Sequence, residues 1–183
     1  AGAVVVVLGA LFVNKYYGFF AETVNGLLER VGGSPAIPPL TLVAAAGLSF
    51  YSFSCVSYLA DVYAGRLGAE RHFGRFGLYI SFFPKLLAGP IERAQPFLTR
   101  LREPVRFSSA AVTSGLQLFL WGLFKKVVIA DRLASIVSAA YGRPAFASPA
   151  DLLIATYFFA FQIYCDFSGY SDMAIGASRM LGL

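Results

Sequence analysis

The chain has 183 residues, of which 57% are hydrophobic and 14% are charged, and its formal net charge is +5. Soluble domains carry about 25% charged and roughly 45–50% apolar residues, so this composition excludes an ordinary soluble domain. It predicts an all-α fold, that of a polytopic helical membrane protein. Both cysteines, Cys55 and Cys165, lie in apolar stretches and match neither a disulfide scaffold nor a metal site.

The two ends of the sequence carry no sign of a complete chain. There is no initiator Met, and no polar tail follows Gly182-Leu183. We therefore expect residues 1–183 to form part of one integral-membrane domain that is truncated at both ends.

The first predicted span is an apolar block from Ala3 to about Phe20, interrupted by Asn14 and Lys15. It is long enough for a hydrocarbon core that needs ~20 residues, and the aromatic residues at its end are typical of a membrane interface. We expect a polar connection from Ala21 to Pro39 to follow it.

The second predicted span runs from about Leu40 to Tyr63, with Pro39 at its first helical position and Asp61 near its end. Small residues allow close helix packing in lipid, and this span carries four serines that predict a packed seam. They are Ser49, Ser52, Ser54 and Ser57.

The most basic part of the sequence lies between Arg66 and Arg106, which holds eight of the fifteen Lys and Arg residues. The positive-inside rule places this part on the cytoplasmic side. The charge is therefore attributed to topology and to contact with anionic lipid, not to nucleic acid. Within it, the apolar block Phe76–Pro90 is too short for an ordinary span and predicts a re-entrant or interfacial helix broken near Pro84.

A long helical stretch is predicted from Ser109 to about Ala140, with Ser108 or Ser109 as its N-cap. Thirty residues would reach roughly 45 Å, which exceeds the hydrocarbon thickness. The helix is thus either strongly tilted or divided near Lys125, and division is favoured. A final helix begins at a capping box formed by Ser148 and Asp151.

The first candidate site is the polar segment Asp166–Asp172, which continues this last apolar helix. Ionisable groups at membrane depth are costly and usually functional. On an unbroken helix the two aspartates point about 120° apart, so they are not expected to act as one acid/base dyad. Gly169 is a possible break in the helix. The segment either lines a substrate cavity and orients a catalytic group, or forms a structural polar network. Its candidate residues are Asp166, Ser168, Tyr170 and Asp172.

The second candidate site is the stretch Phe82–Arg93, in which prolines, a glycine and a Glu-Arg pair mark a break at the membrane interface. It is either a rigid, shaped element or a lipid-facing helix with snorkelling cations. Local chemistry alone favours the lipid-facing helix. The candidate residues are Pro84, Gly89, Pro90 and Arg93.

No complete catalytic or metal motif occurs in the sequence. His72 is the only histidine, and no carboxylate or serine stands at a spacing typical of a triad. We expect it to be a surface residue.

Two long motifs, in this order, are similar to those of a known family. They are Phe83–Arg93 (FPKLLAGPIER) and Gln162–Gly176 (QIYCDFSGYSDMAIG), supported by Leu48–Phe53, Ser57–Tyr63 and Gly122–Leu133. Over roughly residues 48–183 the chain resembles the membrane-bound O-acyltransferases, and within them the alginate O-acetylation branch.

The resemblance implies part of a multi-helix ring around a thin membrane centre, with re-entrant or interfacial helices, in a multi-pass protein of a bacterial inner membrane. It implies transfer of an acyl group, here an acetyl group, from a cytoplasmic-side donor to hydroxyls of an exported polysaccharide such as alginate. The donor would be acetyl-CoA or another activated acyl carrier, with no bound cofactor and no metal. The implied partners are membrane lipid, the polysaccharide and a periplasmic acetylation protein.

The family's essential histidine belongs to a later motif, beyond Leu183, so no catalytic residue is expected in this chain and His72 does not take that role. The eight candidate residues are expected to bind substrate or to orient the catalytic group. Two alternatives stay open at this point: a transporter or flippase, because broken helices also build transport sites, and a non-catalytic scaffold of a polysaccharide export complex.

Overall fold

The computed structural model describes residues 2–38, 40, 47–87, 89–104, 108–142 and 147–183. Within these ranges every regular element is helical. The chain forms two compact units, Ala1–Ser81 and Phe82–Leu183. Among the described residues, two helices are long and apolar enough to cross a membrane, and a bent pair in the first unit gives a third if it counts as one span. The predicted all-α membrane fold is confirmed.

The first unit begins with a bent helix pair. α1 (Gly2–Lys15) and α2 (Tyr17–Arg30) meet at an angle of 65°. The predicted polar connection from Ala21 is wrong, because the chain stays helical to Arg30. The helix ends where Gly32 adopts φ +80° and Gly33 N–H donates to the Leu28 carbonyl at 2.8 Å, a Schellman motif that glycine makes possible.

The rest of the first unit consists of α3 (Leu48–Tyr63) and α4 (Phe73–Ser81). The predicted start of the second span, at Pro39 and residues 41–46, lies outside the described residues. Ser52 and Ser54 are buried, as the serine seam predicts. Asp61 closes the helix, where its carboxylate accepts a hydrogen bond from the side chain of Arg66 at 2.9 Å.

The second unit begins at the predicted break. α4 has ended at Ser81, and the chain resumes as a 3₁₀ turn, Phe83–Lys85. The predicted break near Pro84 is confirmed, because Phe82 leaves the helical conformation with φ −59° and ψ 108°. Pro84 lies in the first turn of the 3₁₀ segment, where its missing N–H needs no helical partner. The short helix α5 (Ala94–Arg100) follows.

The long helix predicted from Ser109 to about Ala140 is present and ends at Gly142. α6 (Ser109–Phe124), a π-helix (Lys125–Ala130) and α7 (Asp131–Gly142) form one continuous helix of 34 residues. Ser108 is its N-cap and accepts from Ala111 N–H at 3.3 Å. The predicted division at Lys125 is present as a change of hydrogen-bond pattern, and the helix itself does not stop there.

The last helix, α8, runs from Pro149 to Met180. Its predicted capping box is confirmed, since the Ser148 hydroxyl accepts from Asp151 N–H and the Asp151 carboxylate accepts from Ser148 N–H. The predicted break at Gly169 is wrong. α8 passes through Gly169 without interruption, because this glycine serves packing between helices and not local unwinding.

Close packing of α6 against α8 decides the shape of the second unit. A Cβ on Gly115 would lie 2.6 Å from the Gly176 carbonyl oxygen, and a Cβ on Gly169 would lie 2.7 Å from the Gly122 carbonyl oxygen. The glycines on each helix are two turns apart, and their pairing order makes the helices antiparallel. Small residues let backbones approach in lipid, here without any GxxxG pattern.

Candidate functional site

The polar segment of α8 meets two lysines of the π-helix. Lys125 Nζ lies 2.5 Å from Asp172 Oδ2 and donates a hydrogen bond to Ser168 Oγ at 2.7 Å. The side chains of Lys125 and Asp172 are only 13% and 22% exposed. We call Lys125, Asp172 and Ser168 the inner cluster.

The second lysine holds two carboxylates. Lys126 Nζ lies 2.7 Å from Asp166 Oδ1 and 2.8 Å from Asp131 Oδ1. These side chains are more exposed, at 38% for Lys126 and 53% for Asp166. We call Lys126, Asp166 and Asp131 the outer cluster. The two predicted aspartates thus contact different lysines, as the angle between them predicts.

Two features of the helices bring these charges together. The π-helix has wider turns than an α-helix, and both of its first two residues, Lys125 and Lys126, reach α8. The close approach of Gly122 to Gly169 lies just beside them, so the lysines face α8 at short range. π-Turns occur frequently at functional sites, which makes this segment a candidate in its own right.

Tyr170 does not share the helix face of the inner cluster. It is half-buried on α8 and points about 160° away from Asp172, whereas Asp166, four residues earlier, lies about 40° from Tyr170. Among the eight predicted site residues, the structure brings Asp166, Ser168 and Asp172 to the lysines, and Tyr170 lies on the same side of α8 as Asp166.

A cavity of about 460 Å³ lies further along α8, towards its C-terminal end. Its walls combine apolar and charged side chains from the Phe82–Arg100 region and from α8. The charged ones are Lys85, Glu92, Arg100 and Arg179. Three cations against one carboxylate make the cavity suitable for an anion that carries an apolar part.

Lys85 is the most shielded cation of this cavity, with 7% of its surface exposed. Its Nζ lies 4.6 Å from the centroid of the Phe97 ring, within the range of a cation–π contact. Burial lowers the pKa of Lys85 to about 8, against the opposing effect of Glu92. A group with this pKa changes its charge close to neutral pH.

The four predicted residues of the second candidate site have different positions. Pro84 and Gly89 are buried, and a Cβ on Gly89 would overlap the backbone of Lys85. Pro90 lines the cavity, and the exposed Arg93 is the N-cap of α5. The stretch is thus packed against α8, and the favoured interpretation as a lipid-facing helix does not describe its buried side.

Sequence reasoning missed the partners of the predicted residues. Lys125, Lys126 and Asp131 were predicted only as part of the Gly122–Leu133 motif and of a division near Lys125. Lys85 was included only in the Phe82–Arg93 stretch with its snorkelling cations. The signal was present, since two lysines in an apolar helix need opposite charges close by. His72 is exposed as predicted, and its Nδ1 accepts a hydrogen bond from Arg75 N–H at 3.3 Å.

Comparison with known proteins places the chain in a family. The pattern of the membrane-bound O-acyltransferase family matches residues 43–183. The chain belongs to this family. The matched range includes the Phe82–Arg93 stretch beside the cavity, the π-helix and the polar segment of α8. Every part of the candidate site therefore lies within it.

Similar curated proteins add detail to this assignment. The probable alginate O-acetylase AlgI of Pseudomonas syringae pv. tomato is 36% identical over 98% of this chain and 34% of its own length. The peptidoglycan O-acetyltransferase of Helicobacter pylori is 31% identical over 88% of this chain and 35% of its own length. The teichoic acid D-alanyltransferase of Bacillus subtilis is 24% identical over 100% of this chain and 44% of its own length. The chain spans about a third of the length of the first two relatives.

Proposed function

We propose that the chain is part of a membrane-bound O-acyltransferase that moves an acetyl group to hydroxyls of an exported polysaccharide such as alginate. The single observation that carries this proposal is the family match over residues 43–183. The names of the relatives support an O-acyl transfer to a cell-envelope polymer. The protein is a multi-pass protein of a bacterial inner membrane, and a periplasmic protein cooperates with it.

The cavity beside Pro90 is the proposed site of the acyl donor. The donor is acetyl-CoA or another activated acyl carrier, and a phosphate-bearing carrier suits the three cations Lys85, Arg100 and Arg179. The cavity belongs to the basic part of the chain, which the positive-inside rule places at the cytoplasmic side. The inner cluster lies on the same helix, nearer to its N-terminus than the cavity. Asp172 precedes Arg179 by two turns, which is about 10 Å.

In the proposed reaction, the acceptor hydroxyl attacks the acyl carbonyl and its proton passes to a general base. The new ester bond forms, the bond between the acyl group and its carrier breaks, and the carrier leaves with the proton. The base is the histidine expected beyond Leu183. The residues of this chain hold the donor and shape the centre in which the two reactants meet.

The proposal is tested by measuring transfer of labelled acetyl groups to polysaccharide in membranes that contain the full-length protein. We expect D172N to lower transfer by about 100-fold, because a reacting group displaced by 1 Å can cost that much. The matched control is E103Q, at an exposed carboxylate outside both clusters, which should leave transfer unchanged. Absence of transfer by the wild-type protein would overturn the proposed function.

The donor site has a separate test that uses the pKa of Lys85, which is lowered to about 8. Above this pH the ammonium loses its proton, so an anionic donor binds less well. We expect the KM for acetyl-CoA to rise as the pH increases through about 8, and K85M to remove this dependence. A KM that follows the same pH profile in K85M and wild type would exclude the cavity as the donor site.

A further inference from the structure

Several serine and threonine hydroxyls of the described helices donate to a carbonyl of their own helix, among them Thr23, Ser54 and Ser81. Within α8, Ser178 donates to the Ala174 carbonyl at 2.7 Å and Thr156 donates to the Leu152 carbonyl at 2.8 Å. This contact with the carbonyl four residues earlier is the ordinary local alternative for such side chains. It occupies the hydroxyl proton and directs it along the helix.

Ser168 lies on the same helix but has a different partner. Its hydroxyl oxygen accepts from Lys125 Nζ at 2.7 Å, across the contact between the two helices. An ammonium group has donors only, so Ser168 Oγ must be the acceptor in this bond. The Ser168 proton is therefore not used by Lys125 and can be donated to another oxygen.

Lys125 has a second partner on the same face of α8. Asp172 Oδ2 lies 2.5 Å from the same nitrogen, and Ser168 and Asp172 are one turn apart on one face of α8. The lysine therefore bridges two groups on a neighbouring helix. With only 13% of its side chain exposed, it has little freedom to move away from them.

We propose that Lys125 is a positioning residue of the transfer reaction, which acts through Ser168. It holds the Ser168 hydroxyl away from the backbone of its own helix, with the proton directed to an oxygen of the bound substrate. This inference rests on the proposed function. Without Lys125, the Ser168 hydroxyl turns to the carbonyl of Tyr164, as Ser178 and Thr156 do with their own helical carbonyls.

The inference is tested by a double-mutant cycle in the full-length protein, with kcat and KM for acetyl transfer as the readouts. S168A removes the hydroxyl and is compatible with helix folding. K125M removes the cation that positions it. We expect each variant to lower kcat by about 10- to 100-fold, with KM for the donor within twofold of wild type. The double variant should be no worse than K125M alone, because both changes act on one interaction.

Three further variants separate positioning from a purely structural role. K125R keeps a cation with several donors and should retain at least a third of wild-type kcat. This variant also tests the inference if K125M does not fold. K15M changes an exposed lysine of the first unit and should leave kcat unchanged. The kcat of D172N, measured in parallel, shows how much the ion pair between Lys125 and Asp172 contributes to the transfer reaction.

The outcomes are distinct. If S168A keeps wild-type kcat, or if the losses of S168A and K125M multiply in the double variant, Lys125 does not act through Ser168 and the inference is overturned. If the wild-type protein transfers no acetyl group at all, the proposed function fails and the inference fails with it.

Discussion

Asp61 in the first unit and Asp172 in the second are both shielded carboxylates, but their partners differ in kind. Asp61 contacts Arg66, five residues later in the chain, and the side chain of Arg66 is 60% exposed. The partner of Asp172 is Lys125, in another helix, and it is 13% exposed. One pair closes a helix end at the surface, and the other connects two helices through their interface.

The difference shows why burial of a carboxylate alone does not mark a functional site. An exposed cation such as Arg66 is solvated whether or not it has a partner, so its pair contributes little to stability. A shielded cation such as Lys125 cannot return to water when its partner is lost. The second arrangement is costly to maintain, and both of its helices lie within the range that matches the family, residues 43–183.

The largest effect is expected for D172L, which leaves Lys125 shielded without its carboxylate. Loss of one partner of a buried pair costs about 3–5 kcal/mol. We expect a lower free energy of unfolding by this amount, measured by thermal or denaturant unfolding of the full-length protein in detergent. The combined variant K125M/D172L should recover most of the loss, and a failure to recover would show that the charge pair is not its cause.

The next effect concerns the helix crossing beside the inner cluster. A Cβ at Gly122 would overlap the Gly169 carbonyl oxygen, so G122A should destabilise the protein by about 1–3 kcal/mol. Unfolding in detergent measures this change. The matched control is G142A, where a Cβ meets no atom of the described residues within 4 Å, and equal stabilities of the two variants would contradict the close approach of the helices.

A smaller effect is expected for D61N. Asp61 is shielded, with 7% of its side chain exposed. In D61N the amide oxygen can still accept from Arg66, so the change removes the charge of a pair with an exposed cation, which contributes at most about 1 kcal/mol. Because Arg66 stays in water, we expect a loss well below that of D172L under the same unfolding conditions. A loss equal to or larger than that of D172L would reverse the comparison between the two carboxylates.

The smallest effect is expected for K126M in the outer cluster. Lys126 is 38% exposed and Asp166 is 53% exposed, and ion pairs with this exposure contribute about 0–1 kcal/mol. K126M should therefore destabilise the protein less than K125M, although the two lysines are neighbours in sequence. Equal losses of unfolding free energy in K126M and K125M would show that the outer cluster is as shielded as the inner cluster in the full-length protein.

Part of the fold could be predicted because its causes are local. The capping box at Ser148 and the break before Pro84 involve residues within a few positions of each other, and both are confirmed. The continuation of α2 to Arg30 was not predicted, because the polar residues after Ala21 indicated a connection between two spans. Its real end depends on the left-handed conformation of Gly32, which is also a local signal.

The errors at the candidate site have another origin. Gly169 was expected to interrupt α8, since a glycine in a polar segment suggests a break. In the structure it is the point at which another helix packs, and nothing near it in sequence indicates Gly122 as its neighbour. The lysines that hold Asp166, Ser168 and Asp172 were missed for the same reason.

The sequence by itself determined the membrane class, the helix caps, the break at Pro84 and the polar segment of α8, because composition and short-range hydrogen bonds decide them. Only the tertiary structure decided that Lys125 bonds to Ser168, forty-three residues away. It also decided that the Phe82–Arg93 stretch lines a cavity together with α8, the helix that carries the polar segment. Such contacts depend on the register of two helices. That register is set by the close approach of glycines that are distant from each other along the chain.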